Sequence, residues 1–275
     1  MASITGRVAL VTGASSGIGR ATVLDLIGEG VTVYAAARRV EKMRELESAG
    51  VHIVQMDVTS EESMVQGVEG IVGDTGRIDI LVNNAGYGSY GALEDVPMEE
   101  ARRQFDVNMF GVARLTQLVL PGMRKRGYGK IVNISSMGGK IYTTFGGWYH
   151  ATKHALEAWS DCLRLETKPF DIDVIIIEPG GITTPWGTIS AENLRRTSDA
   201  GAYADWARKA ADRMERRYES GKLSPPEVVS RAIVRAVTAR RPRTRYAVGY
   251  MAKPSIVIRS LLSDRVFDRL VTAMM

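Results

Sequence analysis

Short apolar runs and amphipathic stretches alternate along the first 180 residues of the chain. Residues 7–12, Arg-Val-Ala-Leu-Val-Thr, form an apolar run that stops at a Gly/Ser turn, the pattern of a buried parallel strand. Helical spacing of apolar positions follows over residues 17–29, then a strand pattern over 31–36, a charged helix over 40–49 and a strand over 51–55. Residues 61–73 read as a helix, 78–82 as a strand, 98–126 as one long helix and 130–135 as a fifth strand. A helix over 148–167 leads into residues 171–177, Asp-Ile-Asp-Val-Ile-Ile-Ile, the most clearly buried strand of all. Repeated β-α units of this length predict an α/β fold, a doubly wound parallel sheet with helices on both faces. Ligands of such sheets sit beyond the carboxyl ends of the strands, so the segments just after those ends should carry the binding chemistry.

Past residue 180 the alternation loosens. Residues 185–221 read as a substrate loop with polar helices, 225–237 as an amphipathic helix and 245–249 as a last strand. The tail, residues 253–275, has apolar residues at helical spacing with arginines between them. It is expected to pack on its own domain or a partner subunit in preference to a membrane surface. No Pro/Gly/Ser linker and no solenoid repeat interrupts the chain, so one domain over residues 1–275 is expected.

Composition narrows the class. At 45% hydrophobic and 24% charged, 275 residues can bury a substantial core. No apolar run approaches the roughly 18 to 20 residues of a membrane-spanning helix, and the first seven residues lack a signal peptide's charged and apolar regions. A cytoplasmic location is therefore expected. The one cysteine, Cys162, cannot form an intramolecular disulfide; set among Ala158, Trp159, Leu163 and Leu165, it reads as a buried small hydrophobe. The formal charge of +5 raises nucleic-acid binding as a possibility. The excess lies in residues 213–217, which an acid interrupts, and in residues 240–245, where no aromatics interleave as a base-stacking platform requires. No nucleic-acid partner is expected, and attraction to an anionic cofactor or substrate accounts for the charge more simply.

The first strand runs into Thr12-Gly-Ala-Ser-Ser-Gly-Ile-Gly19, which opens the first helix. Gly13 permits a tight turn, Gly17 a close backbone approach, and Gly19 close packing of helix on strand. The helix N-terminus then offers unpaired N–H groups and partial positive charge to a pyrophosphate.

The chain resembles the short-chain dehydrogenase/reductase family, in its Tyr-x-x-x-Lys form, over roughly residues 5 to 185. Asn83-Asn-Ala-Gly86 follows the fourth strand, Asn108 lies within Phe105-Asp-Val-Asn-Met-Phe-Gly111, Ser136 stands thirteen residues before Tyr149, and Tyr149-His-Ala-Thr-Lys153 supplies the family's Tyr and Lys. Pro179-Gly180 follows the sixth strand, with Thr184 where the family contacts a nicotinamide. The resemblance implies a Rossmann-type fold, a homodimer or homotetramer, and catalytic Asn108, Ser136, Tyr149 and Lys153. It implies a dinucleotide site built from Gly13, Ser15, Ser16, Gly17, Ile18, Gly19, Arg38, Asp57, Val58, Asn84, Ala85 and Gly86, with Tyr149, Lys153, Pro179, Gly180, Ile182 and Thr184. It leans toward hydroxysteroid- and retinol-dehydrogenase-like members.

These residue types suit the exchange of a hydride and a proton between an alcohol and a nicotinamide. Tyr149 and Lys153, four apart on a predicted helix, project from one face. A free tyrosine, with a pKa of about 10, is a poor base near neutrality, and a nearby ammonium should lower that value. Tyr149 is then the general acid/base, Lys153 tunes it and holds the nicotinamide ribose, Ser136 orients the substrate oxygen, and Asn108 holds a relay water. A serine hydrolase fits poorly, because Ser136 stands in no Gly-x-Ser-x-Gly setting. His52, His150 and His154 offer no convincing metal set, and no metal site is expected.

NAD-preferring enzymes of this fold usually end the second strand with an acid for the ribose 2′-OH. Here Ala37 stands at that place and Arg38 follows, so a guanidinium is available to grip a 2′-phosphate and NADP(H) is the expected cofactor. Substrate choice should lie in residues 89–93, 137–148 and 183–218, where Met137, Tyr142, Phe145, Trp148 and Trp186 favour a small apolar alcohol or ketone of steroid, retinoid or fatty-chain type. Two alternatives stand beside this: a 3-oxoacyl thioester reductase, and a dinucleotide-binding sensor without turnover.

Overall fold

The structure, a computed structural model, describes residues 3–273; the last two residues of the predicted tail fall outside them. Among the described residues seven strands form one sheet: β1 (Val8–Thr12), β2 (Thr32–Ala37), β3 (His52–Gln55), β4 (Ile80–Asn83), β5 (Gly129–Ile134), β6 (Ile172–Pro179) and β7 (Arg245–Val248). Their order is β3-β2-β1-β4-β5-β6-β7 and every pairing is parallel. The predicted doubly wound parallel sheet is therefore present, the ambiguous last strand included.

Side chains alternate across each strand, so the sheet buries two separate layers. Val11, Val33, Ile80, Val132 and Ile175 pack toward α1 (Gly17–Gly28) and α8 (Glu227–Thr238), meeting Leu26, Val229 and Ile233. Leu10, Leu81, Ile131 and Val174 face the other way, onto Met64 and Ile71 of α2 (Glu61–Thr75), Leu115 and Met123 of α4 (Gly111–Arg126), and Leu163 of α5 (Gly147–Thr167). Each fully buried Leu or Ile contributes about 1.5 to 3 kcal/mol, which makes these two layers the main holding force of the sheet. β1 and β4 are neighbours from which the chain winds in opposite directions. Their following loops diverge and leave a crevice at the carboxyl ends.

Residues 40–49, the helix over 98–126 and Cys162 depart from expectation. Residues 40–49 form two 3₁₀ turns, Val40–Lys42 and Arg44–Ala49, rather than an α-helix. The two apolar anchors there, Met43 and Leu46, are three apart and both buried, which suits a threefold turn. The long helix over 98–126 is α3 (Met98–Phe105) and α4 joined by a π turn over Asp106–Phe110. The polar helices expected over 185–221 are present, as a hairpin of α6 (Trp186–Thr197) and α7 (Ala204–Glu219) closed on Ala191, Leu194, Ala207 and Ala211. Cys162 is exposed, not buried, because its neighbour Leu163 is the α5 residue turned to the sheet.

The tail folds as α9 (Ala252–Leu261) and α10 (Asp264–Ala273). Phe267 and Val271 bury against Ile141, and the Tyr142 hydroxyl donates to Asp268 at 2.9 Å, so α10 docks on its own chain. Among the described residues no helix is long and apolar enough to cross a membrane.

One ionic cluster fastens β7 and β6 to α5. Glu157 accepts from Lys140 and Arg245, each at 2.9 Å, while Arg245 also reaches Asp161 at 2.6 Å and Glu178 at 3.5 Å. Arg164 also pairs with Asp161, while Glu178, among the described residues, meets only Arg245, at the long end of ion-pair range. Burial, reinforced by the Glu157 charge, pushes the Glu178 carboxyl up to about 7. A carboxyl whose pKa is raised on folding adds stability that is full below its unfolded value and is lost as pH rises through the folded one. Glu178→Gln should therefore gain on the wild type between pH 5 and pH 8 in thermal melts; a melting difference that ignores pH over this range would contradict the shared-proton cluster.

Candidate active site

Gly13 and Gly17 take positive φ, +65° and +54°, and a Cβ on Gly13 would lie 2.8 Å from the Ala85 Cα. Only glycine lets the turn after β1 lie this close to the loop after β4. Thr12 ties the same two loops: its hydroxyl accepts from the backbone N–H of Asn84 at 3.1 Å and Ala85 at 3.0 Å and donates to Val82 O at 3.3 Å. The Asn84 amide donates back to Thr12 O at 2.9 Å. Helix α1 then begins with no capping side chain and no acid in its first turn, so its leading N–H groups remain donors for an anion.

A cavity of about 720 Å³ runs along these strand ends. Its walls include Gly13, Ser15, Ser16, Gly17, Ile18, Arg38, Asp57, Val58, Asn84, Ala85, Gly86, Ser136, Tyr149, Lys153, Pro179, Gly180, Ile182 and Thr184. Two expected site residues stand behind the wall. Gly19 packs against the turn, since a Cβ there would lie 2.5 Å from Gly13 O and from the Asn84 amide nitrogen. Asn108, 1% exposed, accepts from Tyr87 N–H at 3.1 Å and donates to Tyr87 O at 2.9 Å and Thr152 Oγ1 at 3.2 Å. The π turn is what swings this amide toward the loop after β4, and π turns recur where a helix must re-aim one residue. Its side chain therefore clamps that loop.

Tyr149, His150 and Lys153 come from α5, and Ser136 from the turn after β5. Lys153 Nζ donates to Ile134 O at 2.8 Å and lies 5.9 Å from the Tyr149 ring centre. Burial pushes the Tyr149 phenol up to about 12, with the Ser136 hydrogen bond pulling the other way. Burial lowers Lys153 to about 8, against the favourable charge of Glu157. Desolvation is the largest influence on both groups, so the phenol is raised where a lowering by the lysine was expected. His150 is held neutral. Thr143 N–H donates to its Nε2 at 3.1 Å, which leaves Nδ1–H to donate to Gly138 O at 2.9 Å, and burial lowers its pKa.

The cavity has two chemically different ends. Arg38 and Arg39, just after β2, and Arg103 on α3 line one end, where Arg38 and Arg103 both act on the Tyr87 phenol. Arg103 was not legible in the sequence; only the placement of α3 brings it beside Arg38. At the other end Trp186 packs 5.7 Å from Tyr90 and 5.3 Å from Tyr149. Phe145 joins them in a left-handed conformation, φ 63°, uncommon for a bulky side chain. Tyr142 and Trp148, expected here, turn elsewhere, toward Phe267 and Phe105.

The family model for short chain dehydrogenase matches residues 7–194. A 3-ketodihydrosphingosine reductase from Bacteroides thetaiotaomicron is 38% identical over 88% of this chain and 88% of its own. An NADPH-dependent 3-dehydrocapnine reductase from Ornithobacterium rhinotracheale is 35% identical over 96% of this chain and 95% of its own. The crystal structure of a short-chain dehydrogenase from Streptomyces avermitilis superposes with a TM-score of 0.80 at 33% identity, covering 98% of this chain and 96% of that one. A dinucleotide-type α/β fold with a polar, aromatic-lined cavity at its strand ends is the class so defined. The chain belongs to the short-chain dehydrogenase/reductase family.

Asn108→Ala removes three hydrogen bonds from a buried position and should cost about 2 kcal/mol of stability in urea unfolding. An unchanged midpoint would show that the clamp on residue 87 holds nothing.

Proposed function

We propose that this protein is an NADP(H)-dependent oxidoreductase that interconverts an alcohol and a carbonyl on a small, largely apolar substrate. One observation carries the reading: a buried phenol, with Ser136 and Lys153 beside it, shares a cavity with an uncapped helix N-terminus and the guanidinium of Arg38. The residues fit a dinucleotide, because the glycine turn has no Cβ to fill the space before α1 and the α1 donors have no competing cap. When bound, the nicotinamide donates or accepts the hydride.

The chain's own residues supply the rest. The α1 N–H groups would hold the phosphate-bearing backbone of the cofactor, Thr184 its nicotinamide and Lys153 its nicotinamide ribose. Near neutral pH the Tyr149 phenol keeps its proton and would give it to the carbonyl oxygen during reduction, leaving a phenolate; oxidation would start from that phenolate, which takes the alcohol proton. Ser136 orients that oxygen by hydrogen bonding. NADP(H) is favoured because Ala37 puts no carboxylate at the end of β2, where Arg38, Arg39 and Arg103 gather instead.

Tyr90, Phe145, Trp186, Met214 and Leu223 support an apolar substrate body. The two reductase relatives, named for 3-oxo substrates, support a fatty-chain ketone over a steroid or retinoid. Exposed Phe110 and Leu165, beside or on the long helices α4 and α5, support assembly as a homodimer or homotetramer. A soluble cytoplasmic life and a small-molecule substrate complete the reading.

Tyr149→Phe keeps the ring and removes the transferable proton, so turnover should fall by about 10²- to 10⁴-fold while NADPH still binds. Near-full turnover in that variant would overturn the assignment of the phenol. Arg38→Asp should weaken NADPH and strengthen NADH in fluorescence titrations; unchanged selectivity would remove Arg38 from 2′-phosphate recognition.

A further inference from the structure

Helix α7 divides its charges between two surfaces. Arg208 is paired with Asp205, and the acids Asp212 and Glu215 are both drawn to Arg195 of α6, at 2.6 and 2.7 Å. Arg213 and Arg217 are left with no carboxylate within ion-pair reach among the described residues. They are four apart, hence on one helix face and about 6 Å apart along the axis. That face belongs to the cavity: Ala210, Arg213, Met214, Arg217 and Tyr218 all line it.

Their end of the cavity is the reacting end. The Tyr218 phenol interacts with both Tyr149 and Arg217, so Arg217 flanks the proposed proton donor's surroundings and not the Tyr87 end where Arg38 and Arg103 lie. Arg196 of α6 also lines the cavity and is oriented by Asn193 at 2.6 Å. The two acids in the cavity wall, Asp57 and Glu100, contribute nothing here: Asp57 is bound to Thr59, and Glu100 to Tyr87. Unpaired guanidinium groups over an aromatic floor are suited to a ligand with an apolar stretch and a terminal negative charge.

We propose that Arg213 and Arg217, with Arg196, form an anion subsite, and that the preferred substrate is an oxo or hydroxy chain ending in a carboxylate, phosphate or sulfonate. The inference rests on the alcohol–carbonyl reading above and deepens it. The carbonyl meets Tyr149 and Ser136, the chain lies on Trp186, Phe145 and Met214, and the charged end reaches α7.

The test compares an oxo fatty acid with its methyl ester, and with the corresponding oxoalkyl phosphate and sulfonate, in NADPH-dependent turnover. The wild type should favour the charged member of each pair by about tenfold or more in kcat/KM, with the preference shrinking as salt is raised. The phosphate and sulfonate arms identify which headgroup fits best. Arg213→Gln with Arg217→Gln should bring the acid-to-ester ratio close to one, and Arg213→Glu with Arg217→Glu should invert it. An unchanged ratio overturns the proposal. Equal loss on acid and ester, together with weaker NADPH binding, also overturns it and assigns the arginines to the cofactor.

A second measurement needs no turnover: binding of decyl phosphate against decanol to the NADPH-loaded enzyme, followed by tryptophan fluorescence. About tenfold tighter binding of the phosphate, abolished by the double Glu variant, is expected. If that difference holds but no oxo compound is reduced, the proposed reaction falls and the subsite stands. If ketones are reduced with no difference between charged and neutral ligands, the subsite falls and the reaction stands.

Discussion

The Thr12 hydroxyl closes β1 and serves two loops at once, receiving the N–H groups of Asn84 and Ala85 and giving its own proton to Val82 O. At a switch point the loops after β1 and β4 leave in opposite directions, and this tie, with the Asn84 amide donating to Thr12 O and Gly13 O, fixes their separation. Gly13 lets them touch and Gly19 lets α1 sit directly over the turn, since a side chain at either position would meet backbone or the Asn84 amide. The consequence is a helix whose uncapped N-terminus faces a crevice of defined width. Asn108 then clamps the far side of the same loop through Tyr87, so the loop after β4 is held by β1 on one side and by the π turn on the other.

Desolvation sets the protonation states inside that crevice. Tyr149 is driven up, Lys153 down and His150 down, each mainly by burial. The site at rest therefore holds a neutral phenol and a neutral imidazole, with a lysine close to losing its charge. A protonated phenol suits the proposed transfer of a proton to a carbonyl oxygen. Beyond these buried groups the cavity carries cations at its margins, Arg38 and Arg103 at one end and Arg213 and Arg217 at the other.

The sheet was legible because parallel strands buried on both faces are read as unbroken apolar runs, and β1, β5 and β6 are nearly pure examples. The wall of the site was legible for a related reason: glycines, the Asn83-to-Gly86 segment and Pro179-Gly180 mark strand ends, and strand ends are where the cavity lies. Helical spacing also put Tyr149 and Lys153 together, though not the direction of the tyrosine's shift, which depends on burial by Tyr90, Trp186 and Tyr218. What failed to show was tertiary. A π turn leaves no periodic signature, so the clamp that Asn108 places on the Tyr87 loop did not show in the sequence. Arg103 and Tyr218 lie on helices whose placement over the cavity depends on packing, and Tyr142 and Trp148 turn away because Phe267 and Phe105 offer apolar partners. The 3₁₀ turns after β2 were missed because a charged stretch with two buried anchors reads equally as a short α-helix.

The central claim is that this cavity transfers a hydride to a carbonyl carbon. The most direct measurement supplies NADPH deuterated on each face of nicotinamide C4 in turn, offers a fatty-chain ketone, and reads the alcohol product by mass spectrometry. The account predicts one deuterium on the former carbonyl carbon from one of the two labelled cofactors and none from the other. A product that carries no label from either, or no alcohol at all while NADPH binds tightly, would contradict it.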